Sequence, residues 1–219
     1  MSKPLYVFDM DETLVNADAA MLWNEFLVEK GIASDASFIE EDQRLMGLYS
    51  QGELDMEDYL TFAMEPLADM TTQQVNVLVE ECVENKILPK LFKQTLPLID
   101  QLKRDGIDML IISASVTFLV EVVGQKLGIS EALGIDLVEQ QGCYTSKIEG
   151  VPSYREGKVT RLEQWITQQQ NQYSEIHFYT DSINDLPLCE YADYAYLVNP
   201  CPRLKALTDR PNWQILNWD

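Results

Sequence analysis

The stretch VFDMDETLVNAD, residues 7–18, decides how this chain folds. The apolar run LYVF, residues 5–8, predicts a buried strand, and Asp9 and Asp11 follow it directly. Two carboxylates at the tip of a buried strand repel each other and lose hydration, which costs free energy. A chain that places them there therefore needs a nearby positive charge that offsets this cost.

Further along the chain, three more apolar runs predict strands, at residues 108–112, 176–179 and 194–198. Helical spacing separates them, at residues 96–104 and 118–127, and Gly128 marks the end of the second helix. This alternation is typical of an α/β fold with a doubly wound parallel sheet. Residues 136–140 and 143–148, around Gly142, predict a hairpin, and residues 213–219 predict a final edge strand.

The segment between the first two strands is too long for a single crossover. Amphipathic helical patterns occupy residues 20–30, 39–49, 56–62 and 72–85. We therefore expect residues 16–90 to form a helical cap inserted over the strand ends, and residues 1–15 and 91–219 to form the α/β core. No linker-like or low-complexity tract flanks the insertion, which predicts that it packs on the core.

Composition excludes several classes of function. The chain has 219 residues, with 36 acidic and 16 basic side chains and a formal net charge of −20, which disfavours binding to nucleic acid or anionic membranes. No apolar run approaches the roughly 20 residues of a membrane span, and no signal peptide pattern opens the chain, so we expect a cytoplasmic protein. Four scattered cysteines and a single histidine make a zinc site an unfavoured interpretation.

Acids and hydroxyls follow three of the predicted strands. In a doubly wound sheet, ligands bind outside the carboxyl ends of the strands. The side chains expected at that edge are Asp9, Asp11, Ser113, Ser115, Thr180, Asp181, Ser182, Asn184 and Asp185. Four carboxylates at one edge predict a Mg²⁺ site formed by Asp9, Asp11, Asp181 and Asp185, because this ion prefers oxygen ligands. The alternative is that each aspartate only caps a helix.

Two other phosphate or metal motifs fail. An EF-hand loop would need glycine where the chain has Leu14 and glutamate where it has Ala20. No GxxxxGK[ST] motif occurs anywhere in the sequence. A cation for phosphate is instead offered by Lys158, in the segment REGKVTRL at the start of a predicted helix.

These motifs together resemble those of the haloacid dehalogenase superfamily of phosphatases. DMDET resembles its first motif, Ser113 its second, Lys158 its third, and DSIND its fourth. The resemblance covers essentially the whole chain. The helical insertion and the stretches YREGKVTRL, DSINDLPL and VNPCPRL look closest to the branch of phosphoserine-phosphatase-like and histidinol-phosphatase-like members.

The resemblance implies a Mg²⁺-dependent phosphatase that acts through an aspartyl-phosphate. Asp9 would be the nucleophile, and Asp11 the general acid and then the general base. Ser113 and the Ala114 amide would hold phosphate oxygens together with Lys158.

The metal would bind Asp9, the main-chain carbonyl of Asp11 and Asp181. Asp185 would support the metal or orient Lys158. A phosphotransferase would use the same residues, and a non-catalytic protein that binds phosphate or metal is the other alternative.

The expected substrate is a small phosphorylated metabolite. Small glycines are typical around the second and fourth motifs of phosphoserine phosphatases, whereas this chain has Ala114, Ser115, Thr180 and Ser182, which argues against phosphoserine itself. Those enzymes bind the substrate's amino group with a glutamate at the position that Asp18 matches, so we expect an amino-alcohol phosphate.

Two further residues, Asp18 and Asn184, are assigned to substrate binding. Asp18 is either the group that binds the amine or the N-cap of the first cap helix.

Overall fold

The computed structural model describes residues 3–219, in which six strands form one parallel sheet and two form a hairpin. The order across the sheet is β3-β2-β1-β6-β7-β8, and β4 pairs antiparallel with β5. The strands are β1 Lys3–Phe8, β2 Asp108–Val116, β3 Glu131–Ile135, β4 Leu137–Gln140, β5 Cys143–Ile148, β6 Tyr173–Thr180, β7 Tyr194–Val198 and β8 Trp213–Leu216. The predicted doubly wound sheet, the hairpin and the final edge strand are confirmed.

Helices cover both faces of this sheet and fill the long segment after β1. They are α1 Ala19–Glu29, α2 Phe38–Gln51, α3 Met56–Met64, α4 Thr72–Cys82, α5 Thr95–Arg104, α6 Thr117–Leu127, α7 Glu156–Gln168, α8 Leu186–Tyr191 and α9 Pro202–Lys205. A π-helical turn, Val83–Ile87, extends α4. None of the helices formed by residues 3–219 has the length and apolar character needed to cross a membrane.

The register of the sheet brings the motifs together. In the central strand, Val7 pairs with Leu110 of β2 on one side and with Phe178 of β6 on the other. All three strands are parallel, so their carboxyl ends lie side by side. The segments that follow Phe8 and Thr180, and the end of β2, therefore meet at one edge of the sheet.

Two strands differ from the sequence prediction. Strand β2 continues to Val116, so Ser113, Ala114 and Ser115 lie within it and not after it. Strand β3 was not predicted, because its sequence EALGI is short and contains a glycine. A Cβ at Gly134 would lie 2.7 Å from the Ser115 carbonyl oxygen, so only glycine permits this close approach of β3 to β2.

The long insertion is packed on the core. Its two ends meet, because the Asn16 backbone N–H donates to the Lys90 carbonyl at 2.7 Å. Leu60 and Val79 of the insertion share one continuous hydrophobic cluster with Phe8 of the central strand. Packing without a flexible linker is therefore confirmed, while the exact boundaries at residues 16 and 90 stay a prediction.

Candidate active site

Lys158 lies buried at the carboxyl edge of the sheet between two aspartates. Its Nζ atom is 2.9 Å from the nearer carboxylate oxygen of Asp9 and 2.8 Å from that of Asp185, and only 1% of its side chain is exposed. Burial alone would lower the pKa of this ammonium, but the two carboxylates outweigh burial and raise it. Lys158 is therefore a permanent positive charge at the tip of β1.

The amphipathic pattern of α7 explains why this lysine points inward. Leu162 and Trp165, four and seven residues after Lys158, are buried in the apolar layer on one face of the sheet. Residues at this spacing share one face of a helix, so packing them against the sheet turns Lys158 towards the core as well. Because α7 begins at Glu156, Lys158 lies in its first turn, at the level of the strand ends.

Asp11 is held by donors from two directions. Its Oδ1 atom accepts from the Ala19 backbone N–H at 2.6 Å, and its Oδ2 atom accepts from the hydroxyls of Ser113 and Ser115 at 3.1 and 3.0 Å. Burial, together with the nearby charge of Asp18, raises the pKa of Asp11 to about 7, although the three donors oppose this shift. A carboxyl group with this pKa can both give and take a proton near neutral pH.

Asp9 and Asp181 carry the remaining negative charge at this edge. Burial raises the pKa of Asp9 to about 7 against the opposing charge of Lys158. Burial and the charge of Asp9 raise the pKa of Asp181 well above its ordinary value, and the Thr13 hydroxyl donates to Asp181 at 3.1 Å. Both carboxylates are nearly buried and border a cavity of about 210 Å³ that also contacts Glu12.

These acids have the oxygen chemistry that fits a dication, and two of the four also have protein partners. No group of three or more His, Cys, Asp or Glu side chains within residues 3–219 is arranged to hold a metal ion. Asp11 is engaged by Ser113 and Ser115, and Asp185 accepts from both Lys158 and Thr180. The metal site of four carboxylates stays a prediction. Asp9 and Asp181 border the cavity, which no described lysine or arginine lines, while Lys158 contacts Asp9 from within the core.

The opposite wall of the site comes from the inserted helices. A second cavity of about 30 Å³ lies beside Asp11 and Ala114, and its other lining is mainly apolar: Ala20, Met46, Tyr49, Leu54, Met56 and Tyr59. Asp18 lines both cavities. Within the described residues that line them there is no lysine or arginine, so this side of the site is apolar with negative charge.

Asp18 serves as a helix cap and also borders the site. Its Oδ1 atom accepts from the Met21 backbone N–H at 2.9 Å, which is the N-cap contact of α1. Burial raises the pKa of Asp18 to about 6. Asp18 can therefore cap α1 and contact a substrate at the same time, so the two roles predicted from the sequence do not exclude each other.

Asn184 contacts the inserted helices. Its Nδ2 atom donates to the Tyr49 carbonyl oxygen at 3.1 Å, and its side chain is buried. In the sequence, Asn184 is assigned to substrate binding. The structure places its amide against the end of α2, and its assignment to substrate binding stays a prediction.

Similarity to known proteins agrees with this geometry. The model of the family described as haloacid dehalogenase-like hydrolase matches residues 6–190. A histidinol-phosphatase of Neisseria meningitidis serogroup C (strain 8013) is 31% identical over 220 residues, which cover 99% of both chains. The chain belongs to the haloacid dehalogenase-like hydrolase family. The family and the enzyme class expected from the sequence are confirmed.

Solved structures support the fold of this family member. A protein of unknown function from Bordetella pertussis Tohama I is 30% identical, covers 99% of both chains and superimposes with a TM-score of 0.90. A phosphoserine phosphatase solved as a phospho-aspartyl intermediate analogue superimposes with a TM-score of 0.73 at 21% identity, over 100% of this chain and 96% of that chain. The second likeness supports the fold alone.

Three polar residues of this hydrolase were not assigned a role from the sequence. Ser115 donates to Asp11, Thr180 donates to Asp185 at 2.7 Å, and Thr13 donates to Asp181. Ser115 and Thr180 are expected at this edge from the sequence, but their partners are not. The contact of Ser115 with Asp11 could have been inferred, because alternate residues of a strand share a face and Ser113 lies two positions earlier. The contacts of Thr13 and Thr180 depend on loop geometry that no sequence pattern reveals.

Proposed function

We propose that this protein is a Mg²⁺-dependent phosphomonoesterase that works through a phosphorylated Asp9. The observation that carries the proposal is the buried Asp9–Lys158–Asp185 contact next to Asp11 at the strand ends. This arrangement places a carboxylate nucleophile, a fixed cation and a proton-transfer group at one edge. Membership of the hydrolase family and the relative named histidinol-phosphatase support the same conclusion.

In the first step, a carboxylate oxygen of Asp9 attacks the phosphorus of the ester. The bond between phosphorus and the alkoxy oxygen breaks, and Asp11 in its protonated form donates a proton to the departing oxygen. A pKa near 7 keeps a useful fraction of Asp11 protonated at neutral pH. Lys158 offsets the negative charge of the phosphoryl group as it transfers.

In the second step, water hydrolyses the acyl phosphate on Asp9. Asp11, now ionised, takes a proton from the water that attacks phosphorus, so inorganic phosphate leaves and both carboxyl groups return to their starting states. Ser115 keeps Asp11 in place through both steps by donating to its Oδ2 atom, and Ser113 donates to the same atom before the ester binds. When the ester binds, the single hydroxyl proton of Ser113 is proposed to turn to a phosphate oxygen, which the Ala114 amide also contacts.

Mg²⁺ would be held by Asp9, Asp181 and the main-chain carbonyl of Asp11, and it would supply charge neutralisation for the phosphoryl oxygens. Asp185 is proposed to orient Lys158, since both groups are buried and in contact. The acidic cavity between Asp9 and Asp181 supports this assignment because it is lined by acids without a basic side chain.

The leaving group is proposed to be an amino alcohol, held by residues of a cap formed by residues 16–90. A carboxylate on the substrate would meet Asp18 and no lysine or arginine on the cap side of the described cavities, which disfavours phosphoserine. An ammonium would be attracted by Asp18. Histidinol phosphate, a substrate of this type, is the first compound to test because the relative from Neisseria bears that enzyme's name.

A panel of phosphomonoesters assayed with Mg²⁺ tests the proposal. The panel contains histidinol phosphate, phosphoserine, a sugar phosphate and an aryl phosphate, with release of inorganic phosphate as the readout. We expect activity on the amino-alcohol ester above that on phosphoserine, and none with Asp9→Asn. The exposed acid Asp35 gives the matched control Asp35→Asn, which retains activity. If the phosphoryl group is transferred to an added alcohol and no inorganic phosphate is released, the protein is a phosphotransferase and the proposed hydrolysis is wrong.

A further inference from the structure

The C-terminal end of α2 is held by three side chains of the α/β core. The Asn184 Nδ2 atom donates to the Tyr49 carbonyl at 3.1 Å, and an Arg203 guanidinium nitrogen donates to the Gln51 carbonyl at 2.8 Å. An Arg155 guanidinium nitrogen donates to the Gly52 carbonyl. Three separate core segments thus bind two of the last carbonyls of α2 and the carbonyl of Gly52, which caps the helix.

These donors match the electrostatics of a helix end. The final carbonyls of a helix lack intrahelical partners and carry a partial negative charge, which cations stabilise. No basic residue occurs in the last turn of α2 itself. Arg155 and Arg203, from elsewhere in the chain, supply the two cations that this helix end lacks.

Glycine at position 52 makes the close approach possible. Gly52 has φ of 74°, the left-handed conformation that ends α2. A Cβ at this position would lie 3.0 Å from the Arg155 guanidinium and 3.5 Å from the Asn184 amide oxygen. A side chain here would be strained and would push against the donors.

Two of the donors lie next to residues of the candidate active site. Arg155 precedes the first turn of α7, which carries Lys158. Asn184 directly precedes Asp185, which contacts that lysine at 2.8 Å. The end of α2 is therefore held by the same short segments that position the Lys158–Asp185 pair.

The third donor has a similar place. Arg203 is in α9, which begins directly after Cys201, and the Cys201 backbone N–H donates to the Asp181 carbonyl at 2.9 Å. On the α2 side, Tyr49 lines both site cavities, and its ring stacks on Tyr154 with 5.6 Å between centroids. Fixing the end of α2 fixes this wall.

We propose that Arg155, Asn184 and Arg203 are positioning residues that dock the end of α2 on the core and hold Tyr49 as a wall of the active-site cavity. None of the three reacts with substrate. Their effect is to complete the pocket that binds the phosphoester, so their loss weakens substrate binding more than it slows the chemical step. The kinetic part of this inference rests on the proposed phosphomonoesterase activity, whereas the docking itself does not.

Arg203→Ala is the sharpest variant, because Arg203 is exposed and acts on α2 from outside the cavity. Lys205→Ala, which removes another exposed basic side chain of α9, is the matched control. Hydrogen exchange of the Gly52 and Glu53 amides, which donate to the Tyr49 and Leu48 carbonyls, reports docking without any assay of activity. We expect these amides to exchange about two- to tenfold faster in Arg203→Ala, as for the loss of one hydrogen bond. In the control we expect their exchange rates to be unchanged.

The double variant Asn184→Ala/Arg203→Ala extends the test to kinetics. We expect KM for the best phosphomonoester of the panel to rise about tenfold with kcat changed less than about threefold, and thermal unfolding to remain cooperative. Unchanged exchange in both variants would overturn the docking. Faster exchange with an unchanged KM would overturn its role in the pocket. If the wild type hydrolyses no phosphomonoester, the proposed function fails. The dissociation constant for inorganic phosphate then replaces KM as the readout. Weaker phosphate binding in the double variant would support the role in the pocket, and unchanged binding would overturn it.

Discussion

The two walls of the candidate active site are built on opposite principles. On the core side, Lys158 lies within 2.9 Å of Asp9 and within 2.8 Å of Asp185, so buried charges of both signs are paired. On the side of the inserted helices, Asp18 faces a mainly apolar cavity that the described lysines and arginines do not line. On the core wall, Lys158 is paired within the protein while Asp9 and Asp181 border the acidic cavity, whereas the other wall leaves the charge of Asp18 for a ligand.

This difference assigns different tasks to the two walls. Paired and hydrogen-bonded charges are preorganised, which is what stabilisation of a transferring phosphoryl group requires. An apolar pocket with one carboxylate instead selects among leaving groups by charge and shape. Substitutions in the core wall should therefore alter the rate of hydrolysis of every phosphoester. Substitutions in the other wall should alter which phosphoester is hydrolysed preferentially.

Removal of divalent metal should have the largest effect, because it acts on every substrate. With EDTA we expect hydrolysis of an amino-alcohol ester and of an aryl phosphate to fall together to background and to return with excess Mg²⁺. The reason is that Asp9 and Asp181 repel each other and the incoming phosphate unless a dication lies between them. Full turnover of either ester by metal-free protein would contradict the metal site.

Loss of the buried cation should come next. Lys158→Ala should lower kcat about 100-fold for both classes of ester, by comparison with the loss of one donor from an oxyanion site. Lys205→Ala, an exposed site on α9, serves as the control. Circular dichroism confirms that the variant is folded, and a kcat within twofold of wild type would remove Lys158 from the chemistry.

Neutralisation of Asp18 should separate the two walls. Asp18→Asn keeps a capping oxygen for α1 but removes the charge, so we expect KM to rise about fivefold for an amine-bearing ester and to stay unchanged for an aryl phosphate. Asp55 is the matched control, because it caps α3 in the same way and is exposed. Equal effects on the two esters would show that Asp18 acts only as a cap.

A small effect on stability is expected from Asp42, a buried acid of the inserted helices. Burial raises its pKa to about 6, while the Asn24 amide, which donates to it at 2.8 Å, partly opposes the shift. Because the folded state favours the protonated form, the stability of the wild type falls as pH rises from about 4 to about 6. Asp42→Asn should therefore raise Tm by about 2–4 °C above pH 7 and by nothing below pH 4.

Asp69→Asn, at an exposed position, controls for the loss of one negative charge. A difference in Tm that does not change with pH would show that the raised pKa of Asp42 does not contribute.

The core wall was predictable from the sequence because each of its elements has a local signature. Asp9 and Asp11 follow an apolar strand, and Lys158 begins an amphipathic helix, so the rules of a doubly wound sheet bring them together. The wall contributed by the inserted helices was not predictable in this way. The position of Tyr49 depends on how α2 docks against Asn184, and no periodicity encodes a contact between residues 135 positions apart.

The same limit applies within the core. The sequence shows only that acids share an edge, so it groups Asp11 and Asp185 with Asp9 and Asp181 as metal ligands, and that grouping stays a prediction. The structure shows what each acid contacts: Ser113 and Ser115 occupy one oxygen of Asp11, and Thr180 and Lys158 engage Asp185. Those partners sit on neighbouring strands and helices, where small shifts in register decide which oxygen meets which donor.

Direct detection of the phosphoryl group on Asp9 tests the central claim. Asp11→Asn, which slows hydrolysis of the intermediate, would be mixed with Mg²⁺ and an aryl phosphate, whose leaving group departs without a proton from Asp11. The protein would be quenched and digested in acid, and the peptide that contains Asp9 would be analysed by mass spectrometry. We predict a mass increase of one phosphoryl group at Asp9 that disappears in the Asp9→Asn/Asp11→Asn variant. Release of inorganic phosphate in a single turnover with no phosphoryl group on Asp9, or with the group on another residue, would contradict the account.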